Sequence, residues 1–188
     1  RGLGAAPRAP GADPMTGERT RRDRYPGGRP FADDPLDQRL FFGRTPEAEE
    51  LFHRIAAAPL LVLYGKSGLG KTSLLQAGVF PRLRGRDLLP VPVRLNRPEV
   101  APLDAVRQAL EQTCAAQGIA YRPTDAQDLW TLLKTAVLWR GEALQTPVLV
   151  FDQFEELFTL NDDGGRRLWA NALGGLLGGR PPDAVRER

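Results

Sequence analysis

Three short stretches of apolar residues are the clearest feature of the hydrophobic pattern. Residues 60–64 and 148–151 are continuous apolar runs, whereas residues 89–95 alternate, with Val91, Val93 and Leu95 apolar. Continuous runs of this length, ending at a glycine or an acid, are typical of strands buried on both faces of a parallel sheet. The pattern therefore predicts three strands, of which the first and the third are buried on both faces.

Segments with helical periodicity alternate with these strands along the chain. Thr45 and Pro46 make a favourable helix start, with an N-cap followed by proline at the first helical position. The segments predicted as helices are 46–57, 72–80, 101–117, 125–139 and 165–177. Strands that alternate with helices predict an α/β domain with three layers.

The first thirty residues lack any hydrophobic period. They contain five prolines and six glycines but few apolar side chains, so they cannot bury enough surface to offset the entropy of ordering. The composition predicts a disordered Pro/Gly/Arg-rich linker over residues 1–30. Ordered structure is expected to begin near Phe41, within a domain that covers residues 35–188.

The net charge of +3 is concentrated in the same segment. Residues 1–30 hold seven arginines and three acidic residues, so they carry +4 and the rest of the chain carries about −1. A nucleic-acid-binding domain needs its basic surface on the folded part. Binding to nucleic acid is therefore not expected.

Cysteine content and hydropathy suggest a compartment. Cys114 is the single cysteine, so an intramolecular disulfide is excluded, and a reducing environment fits. No apolar run approaches the roughly 18 to 20 residues that cross a bilayer. The sequence predicts a cytoplasmic protein without a membrane segment.

The strand at 60–64 leads directly into a motif of the form G-x-x-x-x-G-K-[ST]. Its residues are Gly65, Lys66, Ser67, Gly68, Leu69, Gly70, Lys71 and Thr72. This motif is the P-loop, or Walker A motif, and it stands between a predicted strand and a predicted helix, as its chemistry requires. The sequence predicts a site for a nucleoside triphosphate, most simply ATP with Mg²⁺.

Each part of the motif has a physical task. Glycines let backbone N–H groups turn inward around phosphate, and the helix N-terminus adds its unpaired donors. Lys71 brings a positive charge to the β- and γ-phosphates, and the Thr72 hydroxyl is a Mg²⁺ ligand. Ser73, the next residue, is a further candidate nucleotide contact.

A carboxylate at the end of a neighbouring strand is expected to complete the metal site. Asp152 follows the apolar run 148–151 and is the Walker B candidate; alternatively, it caps the next helix. The following residue is Gln153, whose amide can orient a water but cannot accept its proton. Glu155 is the candidate base, or else part of a solvated helix face. Hydrolysis is therefore expected to be slow.

Three segments together resemble a known family. They are Phe41-Phe42-Gly43-Arg44, the sequence LYGKSGLGKTSLLQAG at 63–78, and VFDQFEELF at 150–158. These residues are similar to those of the bacterial novel STAND NTPases, signal-transducing P-loop ATPases that often occur beside WD40 repeats. The resemblance covers about residues 35–178, and Thr45 and Pro46 depart from it where relatives often carry an acid.

The resemblance implies a regulated ATP switch, with sensor repeats, an effector domain or self-association outside this chain. It also makes Phe42 and Arg44 candidate contacts to the nucleotide, although Gly43 and Arg44 equally suit a turn into the helix 46–57.

The family resemblance further implies the sheet order 5-1-4-3-2 of the additional-strand class of P-loop NTPases. Residues 60–64 and 148–152 would be strands 1 and 3, and the chain would stop before strand 4, which lies between them. Two unpaired strand edges would cost several kcal/mol, so low stability is expected without more chain.

Two other classes of function compete with the switch. A nucleotide-binding scaffold without hydrolysis would fit Gln153. A kinase or a DNA-loading ATPase of the AAA+ kind would need an acceptor site or a basic folded surface, and neither is evident in the sequence.

Overall fold

The computed structural model describes residues 28–179, so most of the predicted linker, residues 1–27, lies outside the described residues. Helix α1 (Pro35–Leu40) comes first, and the Asp34 carboxylate caps it by accepting hydrogen bonds from the amides of Leu36 and Asp37. Regular structure therefore begins before Phe41, earlier than expected.

Helix α2 (Thr45–Ala57) confirms the helix predicted at 46–57. Its N-cap is Arg44 and not the predicted Thr45, and no side chain makes a capping hydrogen bond there.

A longer helix than predicted follows the glycine-rich motif. It consists of α3 (Lys71–Ser73), a π-helical segment (Leu74–Val79) and α4 (Phe80–Arg84), which run on without a break. We call this unit the P-loop helix. Pro81 has no N–H to donate to the carbonyl four residues earlier, and the wider π turns lie directly before it.

The remaining elements alternate along the chain. In order they are β1 (Leu88–Val93), α5 (Pro102–Gln117), β2 (Ala120–Tyr121), α6 (Leu129–Thr135), β3 (Leu138–Arg140), β4 (Ala143–Leu144), β5 (Thr146–Phe151), α7 (Glu156–Leu160) and α8 (Asp163–Leu177). The helices predicted at 101–117 and 165–177 are confirmed by α5 and α8.

Strands β1 and β5 form a parallel pair with a register that runs from Leu88 opposite Thr146 to Val93 opposite Phe151. Because side chains alternate between the faces of a strand, neighbouring residues enter different cores. Leu149 and Phe151 pack into one cluster, and Val150 packs into the other. The pair thus separates two hydrophobic cores.

Helices cover both faces of this pair. Buried residues of α5, α6 and α8 belong to the first core, and buried residues of α2 and the P-loop helix belong to the second. Cys114 of α5 is buried in the first core, and this burial raises the pKa of its thiol. The expected mixed α/β architecture with a parallel sheet is confirmed.

Two prolines mark β1 as an edge strand. The Thr146 amide donates to the Asp87 carbonyl, so the odd-numbered residues of this segment face β5. Pro90 and Pro92 therefore face away from β5, on the side where a further strand would need their missing N–H groups. This sheet can accept another strand only beside β5.

Residues 60–64 do not form the predicted buried strand. They adopt no regular structure, and Val62 and Tyr64 are 70% and 89% exposed. An apolar run is buried in a parallel sheet only when strands pair with it on both sides, and none of the described strands does so. For the same reason β5, also predicted to be buried on both faces, is only partly buried.

The helix predicted over 125–139 is also partly wrong. Helix α6 ends at Thr135, and β3 and β4 form a hairpin in which Arg140 lies opposite Ala143. Gly141, at φ 60°, occupies the two-residue turn, and such turns require positive φ. Together with β2, the hairpin makes a small antiparallel sheet.

Gly78 permits the close approach of α2 to the P-loop helix, and this contact is testable. A Cβ atom at Gly78 would lie 3.0 Å from Phe41 Cε1 and 3.1 Å from Ala48 Cβ. We expect Gly78→Ala to lower the free energy of unfolding by about 1 to 3 kcal/mol through overpacking, as measured by urea denaturation.

Gly175→Ala is the matched control, because a Cβ atom there meets nothing within 4 Å on helix α8. This variant should keep or raise stability by up to about 1 kcal/mol, since alanine favours helix. Equal effects of the two substitutions would contradict the assigned contact.

Candidate nucleotide-binding site

The glycine-rich motif forms a loop that ends at the first residue of the P-loop helix. Gly68 and Gly70 have φ of 82° and 72°, in the left-handed region that suits glycine. Gly70 is the N-cap, and its carbonyl accepts the first helical hydrogen bond, from the Leu74 amide at 2.8 Å. The loop therefore presents the start of a helix, where unpaired N–H groups favour an anion.

Lys71 folds back over this loop. Its Nζ donates to the carbonyl oxygens of Gly65 at 2.8 Å and Lys66 at 3.1 Å. An ammonium group has three donors, so one remains for another acceptor. The positive charge is thus held at the loop itself.

Thr72 and Asp152 meet although 80 residues separate them. The Thr72 hydroxyl donates to the Asp152 carboxylate, with oxygen distances of 3.0 Å to Oδ2 and 3.3 Å to Oδ1. Both side chains are partly exposed, so a ligand can reach them. A hydroxyl beside a carboxylate is an oxygen-only donor set, the kind that Mg²⁺ prefers, so these residues fit a divalent cation.

The segment after Asp152 turns before the next helix. Gln153 has φ 58°, an uncommon value for a residue with a side chain, and its carbonyl accepts from the Glu156 amide at 2.9 Å. Helix α7 has Glu155 as its N-cap, so Asp152 does not cap it. The side chains of Gln153 and Glu155 are exposed.

Arg44, which the family resemblance makes a candidate contact to the nucleotide, hydrogen-bonds to the glycine-rich loop. Its Nη1 donates to the Leu69 carbonyl at 2.9 Å, and its Nε donates to Glu47 at 3.3 Å. Phe42, the other residue implied by the resemblance, is 72% exposed. The structure therefore brings Arg44 to the loop and leaves Phe42 at the surface.

Ser73 differs from its neighbours in the motif because it is buried. Its hydroxyl accepts a hydrogen bond from the Phe31 amide at 3.1 Å. No motif in the sequence connects the segment that contains Phe31 with the site. Asp34 followed by Pro35, a helix-start signal like Thr45 and Pro46, was the available indication that this segment is structured.

The same N-terminal segment contains an ion pair between Arg29 and the buried carboxylate of Asp37. Asp37 accepts hydrogen bonds from the Arg29 guanidinium at 2.6 and 3.1 Å, and these bonds raise the pKa of Arg29. The Asp37 carboxylate therefore faces a permanent positive charge.

A glycine-rich loop with its lysine and threonine at a helix start, beside an aspartate at the end of a parallel strand, defines a P-loop NTPase domain. The family model nSTAND1, described as Novel STAND NTPase 1, matches residues 25–185, and the chain belongs to this family. This confirms the suspected family.

Comparison with curated proteins and with solved structures gave no match. None of the helices among residues 28–179 combines the length and the apolar character of a membrane span.

The left-handed conformation of Gln153 gives a prediction about stability. Gln153→Gly should retain or slightly raise the free energy of unfolding, because glycine adopts positive φ without strain. Gln153→Val should lower it by about 1 to 2 kcal/mol, because a β-branched residue is strained there. Urea denaturation measures both, and a valine variant as stable as the parent would contradict the assigned backbone conformation.

Proposed function

We propose that this domain binds ATP with Mg²⁺ and hydrolyses it slowly, as the nucleotide switch of a STAND-type protein in signalling or in defence against phage. The contact between the Thr72 hydroxyl and the Asp152 carboxylate is the observation that carries the proposal. It brings the two predicted metal-binding side chains together at the end of the glycine-rich loop.

Thr72 and Asp152 would hold the divalent cation, Asp152 through water. When bound, the cation supplies charge neutralisation on the β- and γ-phosphates. The direct hydrogen bond between the two side chains keeps both oxygens oriented toward one point before any ligand binds. This preorganisation lowers the cost of ordering the site.

Lys71 would exchange its partners when nucleotide binds. Phosphate oxygens share formal negative charges, so they are stronger acceptors than the neutral carbonyls of Gly65 and Lys66. The backbone N–H groups of residues 65–73 would surround the phosphates, with the side chain of Ser67 beside them. The Ser73 hydroxyl itself is buried against the Phe31 amide. Arg44 would steady the loop through Leu69, and Phe42 offers an exposed ring for the base.

Glu155 would accept the proton of the attacking water, and Gln153 would orient that water. Both side chains are exposed on the turn that follows Asp152, and this exposure supports slow turnover. A switch must retain its nucleotide between signals, so a weakly assembled hydrolytic site suits the role. A scaffold that binds ATP without hydrolysis is the alternative that Gln153 keeps open.

The edge position of β1 supports the expected strand order 5-1-4-3-2. In that order β1 and β5 are strands 2 and 3, and strand 2 lies at the edge, where Pro90 and Pro92 face outward. Strand 4 would then pair with β5 and with residues 60–64, covering the exposed apolar run. Sensor repeats, an effector domain or self-association would act through parts beyond this domain, in the cytoplasm.

ATP binding and turnover by the full-length protein test the proposal. We expect Lys71→Ala to abolish measurable ATP binding, because it removes the charge that faces the phosphates. Glu155→Gln should keep binding and lose turnover, because the amide accepts no proton. Equilibrium binding and phosphate release are measured with and without Mg²⁺.

Lys134→Ala is the matched control, since it removes a lysine from the last turn of α6 and should change neither quantity. Unstimulated ATP turnover above about 10 per second would contradict the switch model, because a resting switch must retain its bound ATP. ATP binding without turnover under any condition would favour the scaffold.

A further inference from the structure

Residues 29–37 lie along the P-loop helix and contact both of its ends; we call them the N-terminal clasp. At the first turn, the Phe31 amide donates to Ser73 Oγ at 3.1 Å. At the last turn, Arg84 donates to both carboxylate oxygens of Asp33, at 2.6 and 2.5 Å. The clasp therefore spans the helix that carries Lys71 and Thr72.

Asp37 holds the clasp together from within. It is 4% exposed, and its carboxylate accepts from the Ala32 amide at 2.7 Å as well as from the Arg29 guanidinium. Charge-assisted hydrogen bonds to a buried carboxylate are the stronger kind, and leaving such partners unpaired is costly. The Ala32 amide is thus fixed. The peptide unit between Phe31 and Ala32, to which this amide belongs, is fixed with it, so Phe31 is restrained as well.

The Phe31 amide in turn holds Ser73, the residue that follows Thr72. Ser73 is buried, so its hydroxyl cannot exchange this partner freely for water. The Phe31 ring also packs edge-on against Phe41, with ring centres 5.6 Å apart. Phe41 is the ring that Gly78 of the P-loop helix approaches. The clasp is therefore tied to the helix by polar and apolar contacts.

We propose that Asp37 is a positioning residue for the nucleotide site. Acting through Ala32, Phe31 and Ser73, it holds the first turn of the P-loop helix in the orientation that directs Thr72 at Asp152. Nucleotide with Mg²⁺ and the docked clasp then stabilise each other, because a coupling between two sites is reciprocal. This inference rests on the proposed nucleotide site and adds the N-terminal segment to it.

Binding of ATP to the full-length protein, titrated at several Mg²⁺ concentrations, tests this coupling. Asp37→Asn and Ser73→Ala should each weaken binding about five- to tenfold, the effect of one lost hydrogen bond. The loss should be larger with Mg²⁺ than without it, because Thr72 is the residue displaced. Ser73→Ala keeps the buried Asp37 carboxylate intact, so this variant still tests the coupling if Asp37→Asn impairs folding.

The double variant discriminates further. If both residues act through the same path, Asp37→Asn combined with Ser73→Ala should bind about as well as the weaker single variant. Glu50→Gln is the control: it removes an equally charged partner from the exposed Glu50–Arg54 pair on α2 and should leave binding unchanged.

Hydrogen exchange at the Phe31 amide provides a readout that a purely structural role would not change. ATP with Mg²⁺ should slow this exchange in the parent protein and have little effect on it in Ser73→Ala. Three results would each overturn the proposal. They are parent-like ATP affinity in both single variants, additive losses of affinity in the double variant, and an exchange rate of the Phe31 amide that does not change when nucleotide binds. Failure of the parent protein itself to bind ATP would instead overturn the proposed function, and the coupling with it.

Discussion

The parallel pairing of β1 with β5 is the constraint on which the rest of the described fold depends. Its register sends alternate side chains of each strand into two different cores, so helices must pack on both faces. It also fixes where β5 ends, and Asp152 follows at that end. A shift of one residue would reverse the faces and move Asp152 away from the P-loop helix.

The P-loop helix occupies the second core and delivers Thr72 to Asp152. Its position depends on close approach to α2 at Gly78 and on buried residues such as Phe80 and Leu83. These apolar contacts are what allow a hydroxyl and a carboxylate from distant segments to lie 3.0 Å apart. Packing in the core and chemistry at the site are therefore linked through one helix.

Local patterns predicted much of this arrangement. Signals within a few residues were sufficient to predict the glycine-rich motif, the helices at 46–57, 101–117 and 165–177, and the strands near 89–95 and 148–151. The predictions were wrong where burial depends on a partner strand, as at residues 60–64. They were also wrong at the end of the helix expected over 125–139, where strand β3 of a hairpin begins at Leu138.

The sequence by itself determined which residues make up the candidate site: the order of glycines, Lys71, Thr72 and the acid after an apolar strand. Each is recognisable because its task depends on residue type and short spacing. Only the tertiary structure decided that Thr72 faces Asp152, that Arg44 reaches Leu69 and that Ser73 is held by the N-terminal clasp. Those contacts join segments 25 to 80 residues apart, and such contacts are set by strand register and helix packing, which no local pattern encodes.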